Sequence, residues 1–187
     1  GLDLVEQQIR VARGESLSFT QDDLKIHGHA IELRVCAEDP LNNFLPSVGK
    51  LIRYQEPSGD NIRVDAGYVE GMDIPINYDP MIAKLVVHAN NRTEAIQLMK
   101  TAIAGYHIEG VATTLSFGTF VMNHEAFISG HFDTNFVKQY YSADKIKDAQ
   151  REKARIAALV ALKHWLAARK EIKMAAPIAS NWKSRLA

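Results

Sequence analysis

The sequence predicts an α+β fold, an antiparallel β-sheet flanked by helices, followed by a long C-terminal helix. Three observations predict it. Short runs at residues 31–36, 49–55, 62–65 and 82–87 alternate apolar and polar residues between turn signals, the period of half-buried strands. Helical stripes lie before and after these runs, and no strand–helix–strand rhythm recurs, which argues against a doubly wound parallel sheet. Beyond about residue 144 the composition shifts to Ala, Lys, Arg and Leu, without Gly or Pro until Pro177.

Taken in order, residues 2–12 place Leu4, Val5, Ile9 and Ala12 on one helical stripe, with Asp3 as N-cap and Gly14 as stop. Gln21, Asp22 and Asp23 read as a turn. Ile31, Leu33 and Val35 then alternate with Glu32, Arg34 and Cys36, and Asp39-Pro40 breaks the strand. A second strand covers residues 49–55. The run Pro57-Ser58-Gly59-Asp60 is turn chemistry, so residues 51–64 are expected to form a hairpin. Residues 82–87 form a further strand. Thr93 and Glu94 open a helix reaching Tyr106, with Gly105 and Gly110 bracketing its end. Shorter helices are expected at 114–122 and 125–128. One long helix covers 144–173 with Ile156, Leu159, Val160, Leu162, Trp165 and Leu166 on a broad apolar face, ended by Pro177. Asn181 to Arg185 read as the start of something further.

The chain has 187 residues, 47% apolar and 24% charged, which excludes wholesale disorder. Lys plus Arg number 22 and Asp plus Glu 22, so the basic excess of a nucleic-acid-binding face is absent. The longest wholly apolar run, 156–162, is too short to span a bilayer, which takes roughly 20 residues. No partner in nucleic acid or membrane is expected. The single cysteine, Cys36, fits a reducing compartment. The first residue is Gly1, not Met, and the expectation is a chain processed or cut from something longer.

Seven histidines include no pair three or four apart, and His27 and His29, two apart, make only a weak zinc pair beside ordinary hydrogen-bonding roles. No Walker-type loop, Gly-x-Gly-x-x-Gly or nucleophile elbow is present. Glu32, Arg34 and Cys36 share one face of the predicted strand. A planar, permanently charged guanidinium on a rigid strand is a good anion-stabilising device, although spacing alone favours a solvated strand face. Asp79 and Lys84 read as a turn cap and a snorkelling strand residue, with functional roles as the alternative.

The run 28–35, Gly-His-Ala-Ile-Glu-Leu-Arg-Val, followed by Ala37-Glu38-Asp39-Pro40, resembles the opening of the C-terminal domain of biotin carboxylases. Phe44-Leu45-Pro46-Ser47 with Gly49-Lys50, then Arg63-Val64-Asp65, then the run 78–85 resemble its next blocks in order and spacing. Residues 1–8 are similar to the helix that joins this domain to an ATP-grasp core. The resemblance implies an enzyme that uses ATP, Mg2+ or Mn2+ and bicarbonate to carboxylate biotin on a carrier domain. It implies that Arg34 is catalytic, hydrogen-bonding the ureido oxygen of biotin and stabilising the enolate formed on deprotonation. Glu32 is our inference for a partner that orients Arg34, and Arg63 matches a position at the family's homodimer interface. Val48 stands where the family commonly has Pro, and residues 57–61 replace a more Gly-rich loop. The phosphate loop, ATP-binding lysines and metal-binding glutamates are expected upstream of Gly1.

The long helix and Ile178 to Trp182 resemble the α subunits of propionyl-CoA and related acyl-CoA carboxylases, ligases forming C–N and then C–C bonds. This implies a biotin carboxylase C-terminal domain at 1–141 and a helical connector at 142–187 toward subunit-docking and biotin carrier domains. A further implied partner is a carboxyltransferase β subunit. The expected location is cytoplasmic, or the mitochondrial matrix in a eukaryote. Alternatives are the biotin carboxylase part of an acetyl-CoA or pyruvate carboxylase, and a non-catalytic interaction module of the same fold.

Overall fold

The computed structural model describes residues 2–169, which form two compact units. The first holds residues 2–40 and 44–132. It opens with α1 (Leu4–Ala12), whose N-cap Asp3 accepts a hydrogen bond from the Glu6 amide at 3.0 Å and which carries a Glu6–Arg10 ion pair at 2.7 Å. There follow β1 (His29–Cys36), β2 (Glu38–Asp39), β3 (Leu45–Pro46), β4 (Gly49–Lys50), β5 (Arg53–Gln55), β6 (Ile62–Ala66), β7 (Asp73–Ile74) and β8 (Met81–Ala89). Then come α2 (Arg92–Ala104), β9 (His107–Glu109), α3 (Leu115–Asn123) and α4 (Glu125–Ser129).

The main sheet has three strands in the order β1-β8-β6, all antiparallel. Three two-stranded pairs complete the strand set among the described residues: β2 with β3, β4 with β7, and β5 with β9. The predicted α+β class with antiparallel pairing is what the structure shows.

One inner face of the sheet is apolar. Ile31, Val35, Leu85 and Val87 are buried, and they pack in one core with Ala95, Ile96, Met99, Ala102 and Ile103 of α2. Each such aliphatic side chain contributes about 1.5–3 kcal/mol by leaving water. The Asn91 side chain caps α2 by accepting from the Glu94 amide at 3.0 Å, so the helix starts at Arg92, one residue before Thr93. Gly118 of α3 faces Leu33 so closely that a Cβ there would lie 2.7 Å from Leu33 Cδ2.

The expected hairpin over 51–64 is not formed. The turn exists, with the Ile62 amide donating to the Gly59 carbonyl at 3.3 Å, yet β6 pairs with β8 and β5 with β9. The reason lies in Leu51, which is fully buried and interrupts the predicted second strand. Its amide donates to the Met72 carbonyl, while the next amide, of Ile52, donates to the Glu109 carbonyl. Residues 49–55 therefore split into two strands with different partners. Strand β9 lies between Gly105 and Gly110, and its three residues are too few to carry a periodicity.

Among the described residues, the second unit holds 41–43 and 133–169. It contains α5 (Phe136–Tyr140) and α6 (Ala143–Arg169), with Lys145 Nζ donating to the Tyr140 carbonyl at 2.7 Å. Ile156, Leu159, Val160, Leu162, Trp165 and Leu166 of α6 are exposed. Pro177 and the segment 178–185 lie outside the described residues. No described helix is long and apolar enough to cross a membrane.

Candidate functional site

The outer face of the main sheet carries charge because the inner face takes every second residue. Register sets Arg34 opposite Lys84, and Lys84 opposite Asp65 on the far strand. One rung along, Glu32 faces Val86, and Val86 faces Arg63. Glu32, Arg34, Lys84, Asp65 and Arg63 thus occupy one face. The Arg34 side chain is 71% exposed, and its Nε lies 3.8 Å from Glu32 Oε1. Arg63 pairs with Asp65 at 3.2 Å on its own strand. Alternation in the sequence places Glu32 and Arg34 together, as the structure does, and the structure adds Lys84 and Asp65 across the strands. Cross-strand neighbours of this kind cannot be read from one strand's alternation.

A rigid backing holds the far end of β1. Its ladder with β8 slips between Val35 and Cys36. Past the slip the Ala37 amide donates to the Pro80 carbonyl at 2.7 Å, and the Ser47 amide to the Ala37 carbonyl at 2.8 Å. Asp79 acts as a turn cap, Oδ1 accepting from the Met81 amide at 2.8 Å. Thr114 is buried and bonded to both Arg34 and Cys36 through its hydroxyl, a contact that sequence separation hides.

The histidines have other duties. His88 Nε2 lies 2.9 Å from the His27 carbonyl. His29 Nε2 lies 3.1 Å from Arg92 Nη1, and the Arg92 guanidinium sits over the Phe127 ring at 4.7 Å. Among the described residues no group of three or more His, Cys, Asp and Glu side chains is placed to hold a metal ion.

Next to Arg34, burial pushes the Cys36 thiol up to about 11, with the Glu38 and Asp79 carboxylates adding to the rise and Arg34 opposing it. Glu38 is itself raised above the usual carboxylate range, by burial first and then by Asp79. A raised folded-state carboxyl disfavours the fold above its own pKa. That penalty is relieved as pH falls through the window just above the ordinary value. With the thiol at about 11, roughly one Cys36 in a thousand is expected to be ionised at pH 8, and alkylation by iodoacetamide is expected to run on the order of 100-fold slower than for a free cysteine. Glu38→Gln speeds that reaction and Arg34→Ser slows it, as read by peptide-resolved mass spectrometry. Labelling at the free-cysteine rate would contradict this electrostatic picture.

An antiparallel sheet that presents a charged face to solvent and packs α2 on its other face defines an α+β domain. The family model "Biotin carboxylase C-terminal domain" matches residues 32–139, more than half of the chain. The chain therefore belongs to the biotin carboxylase C-terminal domain family. It is 50% identical over 140 residues to a pyruvate carboxylase subunit of Methanothermobacter thermautotrophicus, covering 75% of this chain and 28% of that one. It is 41% identical over 189 residues to the propionyl-CoA carboxylase alpha chain of Ruegeria pomeroyi, covering 89% and 28%. Among solved structures, the biotin carboxylase domain dimer of Hydrogenobacter thermophilus 2-oxoglutarate carboxylase, crystallised with MgADP and bicarbonate, matches with a TM-score of 0.72 at 39% identity, covering 75% and 31%. The chain thus spans less than a third of the length of these relatives.

Proposed function

We propose that this chain is the C-terminal part of a biotin carboxylase within an acyl-CoA carboxylase α chain of the propionyl-CoA type. The whole enzyme would use ATP, Mg2+ or Mn2+ and bicarbonate to carboxylate biotin on a carrier domain. The observation that carries this reading is Arg34, held by the family scaffold on a rigid strand with its guanidinium facing solvent. The propionyl-CoA assignment is supported by the Ruegeria pomeroyi relative, whose alignment covers 89% of the chain against 75% for the pyruvate carboxylase relative. The 50% identity of the latter favours a pyruvate carboxylase as the second reading.

In this reading Arg34 is the catalytic residue. Biotin supplies the ring nitrogen that accepts the carboxyl group. The Arg34 guanidinium would donate hydrogen bonds to the ureido oxygen of bound biotin and would stabilise negative charge there. Such preorganised cations act where charge develops, so their effect falls on the rate. The exposed fork of Arg34 fits this role. Glu32, whose Oε1 lies 3.8 Å from Arg34 Nε on the same face, would be its orienting partner. ATP and the metal would be held by the ATP-grasp core of the whole enzyme. Arg63 would lie at a homodimer contact, and the wider assembly would include the carrier domain and a carboxyltransferase β subunit. The boundary would fall at 141, with residues 142–187 as connector, a reading supported by the family match ending at 139 and α6 starting at Ala143. The compartment would be the cytoplasm, or the mitochondrial matrix in a eukaryote, where the human propionyl-CoA carboxylase alpha chain is named as mitochondrial.

The full-length α chain, assembled with its partner, is expected to hydrolyse ATP in a bicarbonate-dependent manner and to carboxylate propionyl-CoA in preference to acetyl-CoA or pyruvate. The isolated 187-residue chain is expected to do neither. A bicarbonate-dependent ATPase from the isolated chain would refute the division of labour. Preference for pyruvate would move the assignment to the second reading.

A further inference from the structure

We propose that Thr114 is a positioning residue for Arg34, clamping the backbone from which the guanidinium projects. This inference rests on the role of Arg34 given above. Strand β1 is an edge of the main sheet, so the backbone groups of alternate residues on that side have no strand beside them. At Arg34 and Cys36 those groups meet Thr114 instead. The Thr114 hydroxyl donates to the Arg34 carbonyl at 2.9 Å and accepts from the Cys36 amide at 3.0 Å. The Thr114 amide donates to the Cys36 carbonyl at 3.1 Å. One residue, 80 positions away from Arg34 in sequence, thus stands in for a neighbouring strand.

The location of the clamp gives it meaning. It grips Arg34 and Cys36, which flank the slip between Val35 and Cys36, where the ladder to β8 loses its register. A bulge re-aims side chains, and without a second hold the backbone there has freedom to swing. The Arg34 side chain has little else to fix it, being 71% exposed with a long ion pair of 3.8 Å to Glu32. The backbone sets the point and the Cα–Cβ direction from which it projects, and Thr114 holds that backbone. The hydroxyl has also been withdrawn from its ordinary duty. Thr114 is the N-cap residue of α3, yet its side chain makes no capping hydrogen bond. A hydroxyl offers one proton and two lone pairs, and the observed donor and acceptor pair uses the proton and one lone pair. Neither valine nor alanine can make either bond, whereas serine can make both. Thr114 is 7% exposed, so the freed Arg34 carbonyl and Cys36 amide would not be freely rehydrated.

The test uses the full-length carboxylase α chain with free biotin as acceptor. Thr114→Val is expected to lower kcat for biotin carboxylation by about tenfold or more, with KM for ATP unchanged, and Thr114→Ser to restore it. In an Arg34→Ser background the same change has no further effect on the residual rate, because the group it orients is gone. Hydrogen exchange at the Cys36 amide reports the clamp directly: faster in Thr114→Val, slow again in Thr114→Ser. Thr114→Ala is read in the same way if the valine variant does not fold. Wild-type kcat in a folded hydroxyl-less variant overturns the proposal, and so does a loss that adds in full to that of Arg34→Ser. Wild-type turnover in Arg34→Ser alone is a different failure: it removes the role of Arg34 on which the inference stands.

Discussion

Arg34→Ser in the full-length carboxylase is expected to slow biotin carboxylation by about 10²–10³-fold, the usual loss when one preorganised donor to a developing oxyanion is removed. The fold should not notice. The side chain is 71% exposed and its ion pair with Glu32 is long, so truncation opens no cavity and leaves no charge buried. Circular dichroism and melting temperature are therefore expected to match the wild type, while the rate of carboxybiotin formation falls. Arg34→Lys should recover little, since an ammonium lacks the planar fork. Near-normal turnover with serine at this position would end the catalytic assignment. Unfolding of the variant would contradict the placement of Arg34 on a solvent face.

Gly110→Ala should have the largest effect on stability. Gly110 follows β9 at φ +106°, a conformation that side chains rarely adopt. A Cβ there would lie 2.0 Å from the Lys50 carbonyl oxygen and 3.0 Å from the Ile52 amide nitrogen. Both obstacles are backbone. Relief requires residues 50–52 to move away, and the Ile52 amide then loses its bond to the Glu109 carbonyl, now 2.8 Å. Overpacking together with backbone strain costs about 3 kcal/mol or more. For a domain of this size that lowers the melting temperature by roughly 6–12 °C. Gly118→Ala is the useful comparison. Its Cβ meets Leu33 Cδ2, the tip of a side chain that can turn aside, so the loss should be clearly smaller. Equal melting temperatures for Gly110→Ala and the wild type would refute the close approach of β9 to residues 50–52.

How much of this is legible in the sequence depends on distance along the chain. Strand β1 is legible because Ile31, Leu33 and Val35 alternate with polar residues, and α2 because its apolar spacing matches a helix. The charged face bearing Glu32 and Arg34 follows from the same alternation. The expected 51–64 hairpin fails because turn chemistry at 57–60 marks a reversal but does not choose a partner. Burial of Leu51 and Val64's pairing with Leu85 choose instead. Strands of two or three residues, such as β7 and β9, lie below the length at which a period can be seen. In sequence Thr114 reads only as the start of a helix, which it is; its bonds to Arg34 and Cys36 arise from tertiary structure and leave no local trace. The resemblance to biotin carboxylases locates Arg34 more sharply than alternation can, because it compares ordered blocks over more than a hundred positions.

The pairing order of the strands has a consequence for how the chain is made. His29 of β1 must wait for Ala89 of β8, and Arg53 of β5 for Glu109 of β9. At ordinary ribosomal speeds that wait is on the order of ten seconds. Throughout it β1 is a nascent extended segment with two open edges, able to join the wrong chain. Glu32 and Arg34 interrupt its apolar character at alternate positions, and charges so placed discourage intermolecular pairing. The guanidinium proposed for the chemistry would thus also guard the nascent strand, and its replacement by a neutral residue is expected to lower soluble yield before it lowers the melting temperature.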